Sequence, residues 1–222
     1  MLRLEEYLVP QTSPDLSKEL RLRQLYQLQK EIFGHLSRNN RIIHGIGNPE
    51  ADIMLIRDAP GVREDAQARP LAGINGKILE QIISEVGLNR RDIWVTSVLK
   101  WCPYTVCRDG HRKPRPPRLF ELRGFEPWLL WEISAIQPKI IVCLGEMPAR
   151  VLIDDQFRMN SDRGNWMEGP MNTPAIATLH PSHFLQRNNR SGQNLTVLRG
   201  DFMKIRQKYT EMVPPVDQFT AV

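Results

Sequence analysis

"IMLIRDAPGVRED", Ile53–Asp65, runs four apolar residues into Arg57 and Asp58, turns through Ala59-Pro60-Gly61, and then meets a second acidic pair, Glu64-Asp65. A short apolar run closed by a Pro-Gly turn reads as a buried strand, and the charge at its exit marks where the chain leaves the core. Three runs of the same kind follow, Ile93–Val98, Ile140–Leu144 and Ala175–Leu179. Helical patterns lie between them at about Gly76–Val86, Arg118–Ile136 and Met147–Ile153, with one before the first strand (Leu16–Phe33) and one after the last (Leu195–Tyr209). Strand-helix alternation predicts an α/β three-layer sandwich with a central four-stranded parallel sheet flanked by helices.

Ligands of such sheets bind outside the carboxyl ends of the strands, where loops converge. The four exits read "RDAPG" (Arg57–Gly61), "KWCPY" (Lys100–Tyr104, just after Ser97), "GEMP" (Gly145–Pro148) and "HPSHF" (His180–Phe184). Two of them deliver an ionisable group straight from a strand, Asp58 and His180. Each has an ordinary use, Asp58 as an Asx-type turn residue and His180 as a hydrogen-bonded loop histidine. Taken singly, each reads more simply in that ordinary way.

The 222 residues, 41% hydrophobic, suffice for one full core. A single domain over residues 1–222 is expected, with 1–40 as an N-terminal helical extension and 211–222 as a loosely held tail. Thirty Lys/Arg against twenty-five Asp/Glu give a formal charge of +5, an excess that suits a polyanionic partner. No apolar run approaches the length of a membrane span. The three cysteines, Cys102, Cys107 and Cys143, read as reduced thiols of a cytoplasmic protein, and a monomer is expected.

Four segments in collinear order carry a family resemblance: "GIGNPEADIMLIRDAPGVREDAQARPLAGINGKIL", "GLNRRDIWVTSVLK", "QPKIIVCLGEMPARVL" and "ATLHPSHFL". They resemble the uracil-DNA glycosylase superfamily, most closely its thermophile-type family four, over roughly residues 41 to 200. The resemblance implies a monofunctional DNA repair enzyme that flips its target nucleotide out of DNA and hydrolyses the bond from uracil, or another deaminated or damaged base, to the sugar. Asp58, where the family has Glu, would stabilise the cationic sugar or orient water. Glu64 and Asp65 are second candidates for positioning water. His180 would hydrogen-bond the departing base. The pocket would be lined by Ala59, Gly61, Leu71 and Ser97, with backbone N–H groups of the turn receiving base oxygens.

DNA is the expected partner, met by Lys100, by the Pro/Arg-rich stretch with His111, Arg112 and Lys113, and by Ser182, His183, Phe184 and Arg187. His111 stands where one branch of the superfamily has a His that traps the sugar covalently, but a solvated loop histidine is the common case. Phe184 is either a wedge driven into the gap left by the flipped nucleotide or a residue packing the start of a helix.

The pattern breaks at four places. Leu71 stands where relatives stack a Phe on uracil, Ser97 where they read the base with Asn, and Arg57 where the turn begins with Gly. Family-four enzymes also hold an iron-sulfur cluster on four Cys, and here those positions fall on about Lys30 and Phe33, on Cys102 after a shift of one, and near Phe125. Three thiols cannot supply four ligands, so no cofactor is expected. A zinc site from Cys102, Cys107 and His111 is a weak alternative, because the C-x4-C spacing has no downstream pair. The rival functional reading is a catalytically silent member that binds DNA or protein through the same scaffold; a second is a hydrolase of free nucleosides.

Overall fold

The computed structural model describes residues 16–34, 41–184 and 191–214, without the side chains of 183, 184 and 191–194. Its centre is a parallel sheet of β2 (Ile53–Arg57), β3 (Ile93–Ser97), β6 (Ile140–Leu144) and β8 (Pro174–Thr178). Two short antiparallel strands extend it, β1 (Ile46–Gly47) beside β3 and β7 (Trp166–Glu168) beside β8, so that the order is β1-β3-β2-β6-β8-β7. The sheet therefore has six strands, of which the four expected ones form the parallel core. Strands of two or three residues leave no periodic signal to read.

Every residue of β2, β3 and β6 is buried, because helices cover both faces. Alternation along the strands splits the core into two layers. Met54, Ile56 and Cys143 face α4 (Leu119–Ile136) and α5 (Glu146–Leu152). Ile53, Leu55, Val95 and Val142 face α3 (Ile74–Glu85) and α7 (Ser191–Met212). This parity places Arg57 and Ser97, partners in the β2/β3 register, at the upper end of the α3/α7 layer.

Three elements differ from expectation. The helix α1 (Lys18–Phe33) packs on α4 through Leu25, Phe33, Trp128 and Trp131, a placement that its own pattern does not specify. A short helix α2 (Val62–Gln67) follows the Pro-Gly turn. The Pro/Arg-rich stretch forms a hairpin, with β4 (Tyr104–Val106) pairing antiparallel to β5 (Arg112–Pro114). The short α6 (Met159–Asp162) lies before β7. Among the described residues no helix is long and apolar enough to cross a membrane.

Candidate active site

The exits of β2 and β3 are tied together by backbone, with Val98 N–H donating to the Arg57 carbonyl (2.8 Å) and Leu99 N–H to the Asp58 carbonyl (2.9 Å). Asp58 is thereby fixed at the carboxyl end of the sheet, with its Oδ1 accepting from the Ala59 N–H at 2.7 Å. Burial pushes its carboxyl above the ordinary range, against the opposing pull of the Ala59 N–H and the Arg57 guanidinium. When this carboxyl ionises, the poorly solvated anion gains from any cation beside it.

His180 leaves β8, which with β2 flanks β6. Two strand spacings put the exits of Asp58 and His180 on the order of 10 Å apart, room for a nucleoside between them. Its Nδ1 accepts from the Ser182 N–H at 3.1 Å and lies 2.8 Å from the Ser182 hydroxyl. An Nδ1 that accepts a hydrogen bond leaves the proton of a neutral imidazole on Nε2, so the ring offers a donor there. Ser182, expected at DNA, is engaged in setting this tautomer. Gly145, at the exit of β6 between the two, adopts a left-handed φ of 109°, which admits glycine at little cost.

The pocket walls depart from expectation in a connected way. Arg57 is buried, and its Nη1 lies 2.7 Å from a Glu64 carboxylate oxygen. Its Nη2 donates to the Ser97 hydroxyl at 3.3 Å. Glu64 also accepts from the Gly61 N–H (2.8 Å) and from the Leu71 N–H. The N–H groups of Ala59 and Gly61, expected to receive base oxygens, are thus spent on Asp58 and Glu64. Glu64 itself, expected as a candidate for water, is spent on holding the turn, the Arg57 charge and the loop of Leu71. Asp65 accepts from the Tyr104 hydroxyl at 3.1 Å and the Arg41 N–H at 3.3 Å, which ties it to the hairpin. Leu71 adopts a left-handed φ of 58°, and Gly76 lets its carbonyl approach, since a Cβ there would lie 2.0 Å from that oxygen.

Lys100, expected at DNA, is not at the surface. It is 1% exposed and its Nζ lies 2.6 Å from Glu132 Oε2, so it does not reach DNA. Burial raises the Glu132 carboxyl, but the Lys100 ammonium and hydrogen bonds from Lys100, Trp94 and Tyr26 outweigh this and hold it below its ordinary value. The cluster joins β3, α4 and α1. By contrast His111, Arg112 and Lys113 are exposed on the hairpin, with the Arg112 guanidinium 4.5 Å above the Tyr104 ring. The side chains of His183 and Phe184, and all of Arg187, lie outside the described residues.

A cavity of about 960 Å³ opens beside Leu71, lined also by Arg69, Lys77 and Arg91. Sequence reading did not single out these cations, because they are scattered over three segments that only the fold assembles, with α3 against the turn Arg90–Asp92 and that turn against β1.

The Uracil DNA glycosylase superfamily matches residues 44–201, a stretch that contains all four strand exits. The chain belongs to the uracil-DNA glycosylase superfamily. That superfamily is one of DNA glycosylases, hydrolases acting on DNA. Its curated relatives include the Type-4 uracil-DNA glycosylase of Sulfurisphaera tokodaii, 33% identical over 74% of this chain and 73% of that protein. The Type-4 uracil-DNA glycosylase of Thermotoga maritima is 30% identical over 78% of this chain and 84% of its own length. With that of Archaeoglobus fulgidus, 33% identical, the chain spans about half the relative's length, 56%.

The iron-sulfur cluster implied by resemblance to family four does not fit this member. Where its ligands would gather, Phe33 lies 4.8 Å from Phe125 and 5.2 Å from Trp128, and Phe125 lies 4.6 Å edge-on from Trp101, centroid to centroid. Rings in contact fill the space between α1 and α4. Cys102 is buried beside them and Cys143 lies within β6. Among the described residues no three His, Cys, Asp or Glu side chains are placed to hold a metal ion.

Proposed function

We propose that the protein hydrolyses the N-glycosidic bond of uracil or another deaminated base in DNA, after the nucleotide has been flipped into the space between Asp58 and His180. The observation that carries this reading is the placement of those two groups. A poorly solvated carboxylate and a histidine whose Nδ1 is held as an acceptor leave the same edge of the sheet from strands flanking β6. Uracil enters as a candidate because the relatives are uracil-DNA glycosylases.

The bond from C1′ to the base nitrogen breaks with its electron pair going to the base. Asp58 faces the cationic sugar, which relieves the unfavourable burial of its charge as the bond lengthens. The Nε2–H of His180 donates to the base as its negative charge grows. Water adds hydroxide to C1′, and the remaining proton ends on the base. Base flipping is the step that brings the bond to these groups, because neither reaches a stacked nucleotide. The exposed hairpin cations Arg112 and Lys113 contact phosphates and make binding salt-dependent. The protein acts as a monomer in a reducing, intracellular setting.

The test is strand cleavage after alkali treatment of labelled oligonucleotides bearing one uracil, hypoxanthine or xanthine, with Asp58→Asn and His180→Ala as controls. Excision lost in both variants supports the reading. No excision of any base, with DNA binding retained, leaves a silent DNA-binding member of the superfamily.

A further inference from the structure

The two departures nearest the base-reading position are in contact with each other. Arg57 and Ser97 face one another in the β2/β3 register, and the guanidinium donates to the serine hydroxyl. Both are buried, 2% and 3% exposed, so their partners are set by the protein and not by bulk water. The Glu64 carboxylate anchors the far side of the guanidinium. The Nε–H of Arg57 is buried with no acceptor among the described residues. A buried donor in that condition costs about 1–3 kcal/mol until something accepts from it. The Ser97 hydroxyl, accepting from Nη2, keeps its own proton free to donate onward.

We infer that Arg57 and Ser97 together form the base-reading edge of the pocket, and that this edge selects a deaminated purine, hypoxanthine or xanthine, over uracil. The inference rests on the glycosylase reading above. Its basis is donor and acceptor pattern. A guanidinium has five donors and no acceptor. A 6-oxopurine presents two adjacent acceptors, O6 and N7, the pair that a guanidinium fork reads on guanine. Uracil offers O4 beside a C–H on one side and beside the N3–H donor on the other. One of its groups therefore always faces a donor or nothing.

The experiment separates selection from chemistry. Duplexes carrying 2′-fluoro-deoxyinosine or 2′-fluoro-deoxyuridine, whose glycosidic bonds resist cleavage, are titrated against the full chain, and cleavable duplexes are assayed in parallel. The wild type is expected to bind the hypoxanthine duplex about 10- to 100-fold more tightly than the uracil duplex, the range of one good bidentate pair. Arg57→Lys keeps the charge opposite Glu64 but removes the planar fork, and Ser97→Asn replaces the hydroxyl by the paired donor and acceptor of an amide. Each variant is expected to reduce the preference at least 10-fold, read on protein shown to be folded by its circular dichroism. Equal or tighter binding of the uracil duplex by the wild type overturns the inference, as does a preference that survives both substitutions. Failure of the cleavable duplexes alone counts against the glycosylase reading and leaves the binding preference to be read directly.

Discussion

The Lys100 ammonium sits 2.6 Å from a Glu132 carboxylate that is 0% exposed, and Thr96, Trp94 and Tyr26 complete the hydrogen bonds of the pair. Breaking one partner of such a pair leaves the other charge buried and unpaired, which costs about 3–5 kcal/mol. Lys100→Ala is expected to lower stability by about that amount in urea unfolding. The salt dependence of DNA binding by its folded fraction is expected to match the wild type, because the side chain never meets a phosphate.

Asp58→Asn is expected to separate activity from stability. The carboxyl is raised by burial above its ordinary 3.8. The proton is thus bound more tightly in the folded state. Stability is fully present below the ordinary value and is lost as pH rises through the higher folded value. Above the raised folded value the native protein bears an anion that burial disfavours. The asparagine variant bears none and can still accept from the Ala59 N–H. It should melt higher than the wild type above that value, with the difference shrinking as pH falls through it, while excision drops at least about 10²-fold. Calorimetry across pH, beside the excision assay, checks both halves.

Glu64→Gln tests whether that residue holds the pocket together. The glutamine keeps an acceptor for the Gly61 or Leu71 N–H but leaves the Arg57 guanidinium without its counter-ion. A loss of about 3–5 kcal/mol in urea unfolding is expected. An unchanged unfolding midpoint with excision abolished would return Glu64 to the role of positioning water.

The hairpin should answer to salt. Arg112→Ala and Lys113→Ala, both at exposed positions, are each expected to reduce the slope of log affinity against log salt by about 1. Measurement by fluorescence anisotropy at several salt concentrations suffices. Slopes identical to the wild type would remove the hairpin from the DNA interface.

At the junction of α1 and α4, Phe33→Ala should cost about 3–5 kcal/mol through the lost ring contacts and the cavity left behind. The fall in melting temperature should not depend on added iron or on chelator.

The four parallel strands were legible because each is a continuous apolar run, as burial on both faces demands. Asp58 and His180 stood out because they break those runs at their exits. Lys100 was misread for a related reason. A lysine just past a strand looks solvent-bound until Glu132 is noticed, a carboxylate within the apolar run "WLLWEISAI" of α4 that must find a cation if it is buried. Arg57 was legible as bulk near the pocket. Its role was not, since the ion pair to Glu64 spans a turn and the contact to Ser97 depends on strand register. The widening of Glu64 from a water-positioning candidate to a tie among three segments likewise needed the fold of α2, whose six residues show no periodicity.

The most direct test of the central claim is the single-turnover excision rate on a base-modified oligonucleotide, measured against pH for the wild type, Asp58→Asn and His180→Ala. The account predicts a wild-type rate that rises with ionisation of a carboxyl above the ordinary 3.8, the loss of that rise in Asp58→Asn, and a rate at least about 10²-fold lower in each variant. Wild-type rates in both variants, with the same pH profile, would contradict it.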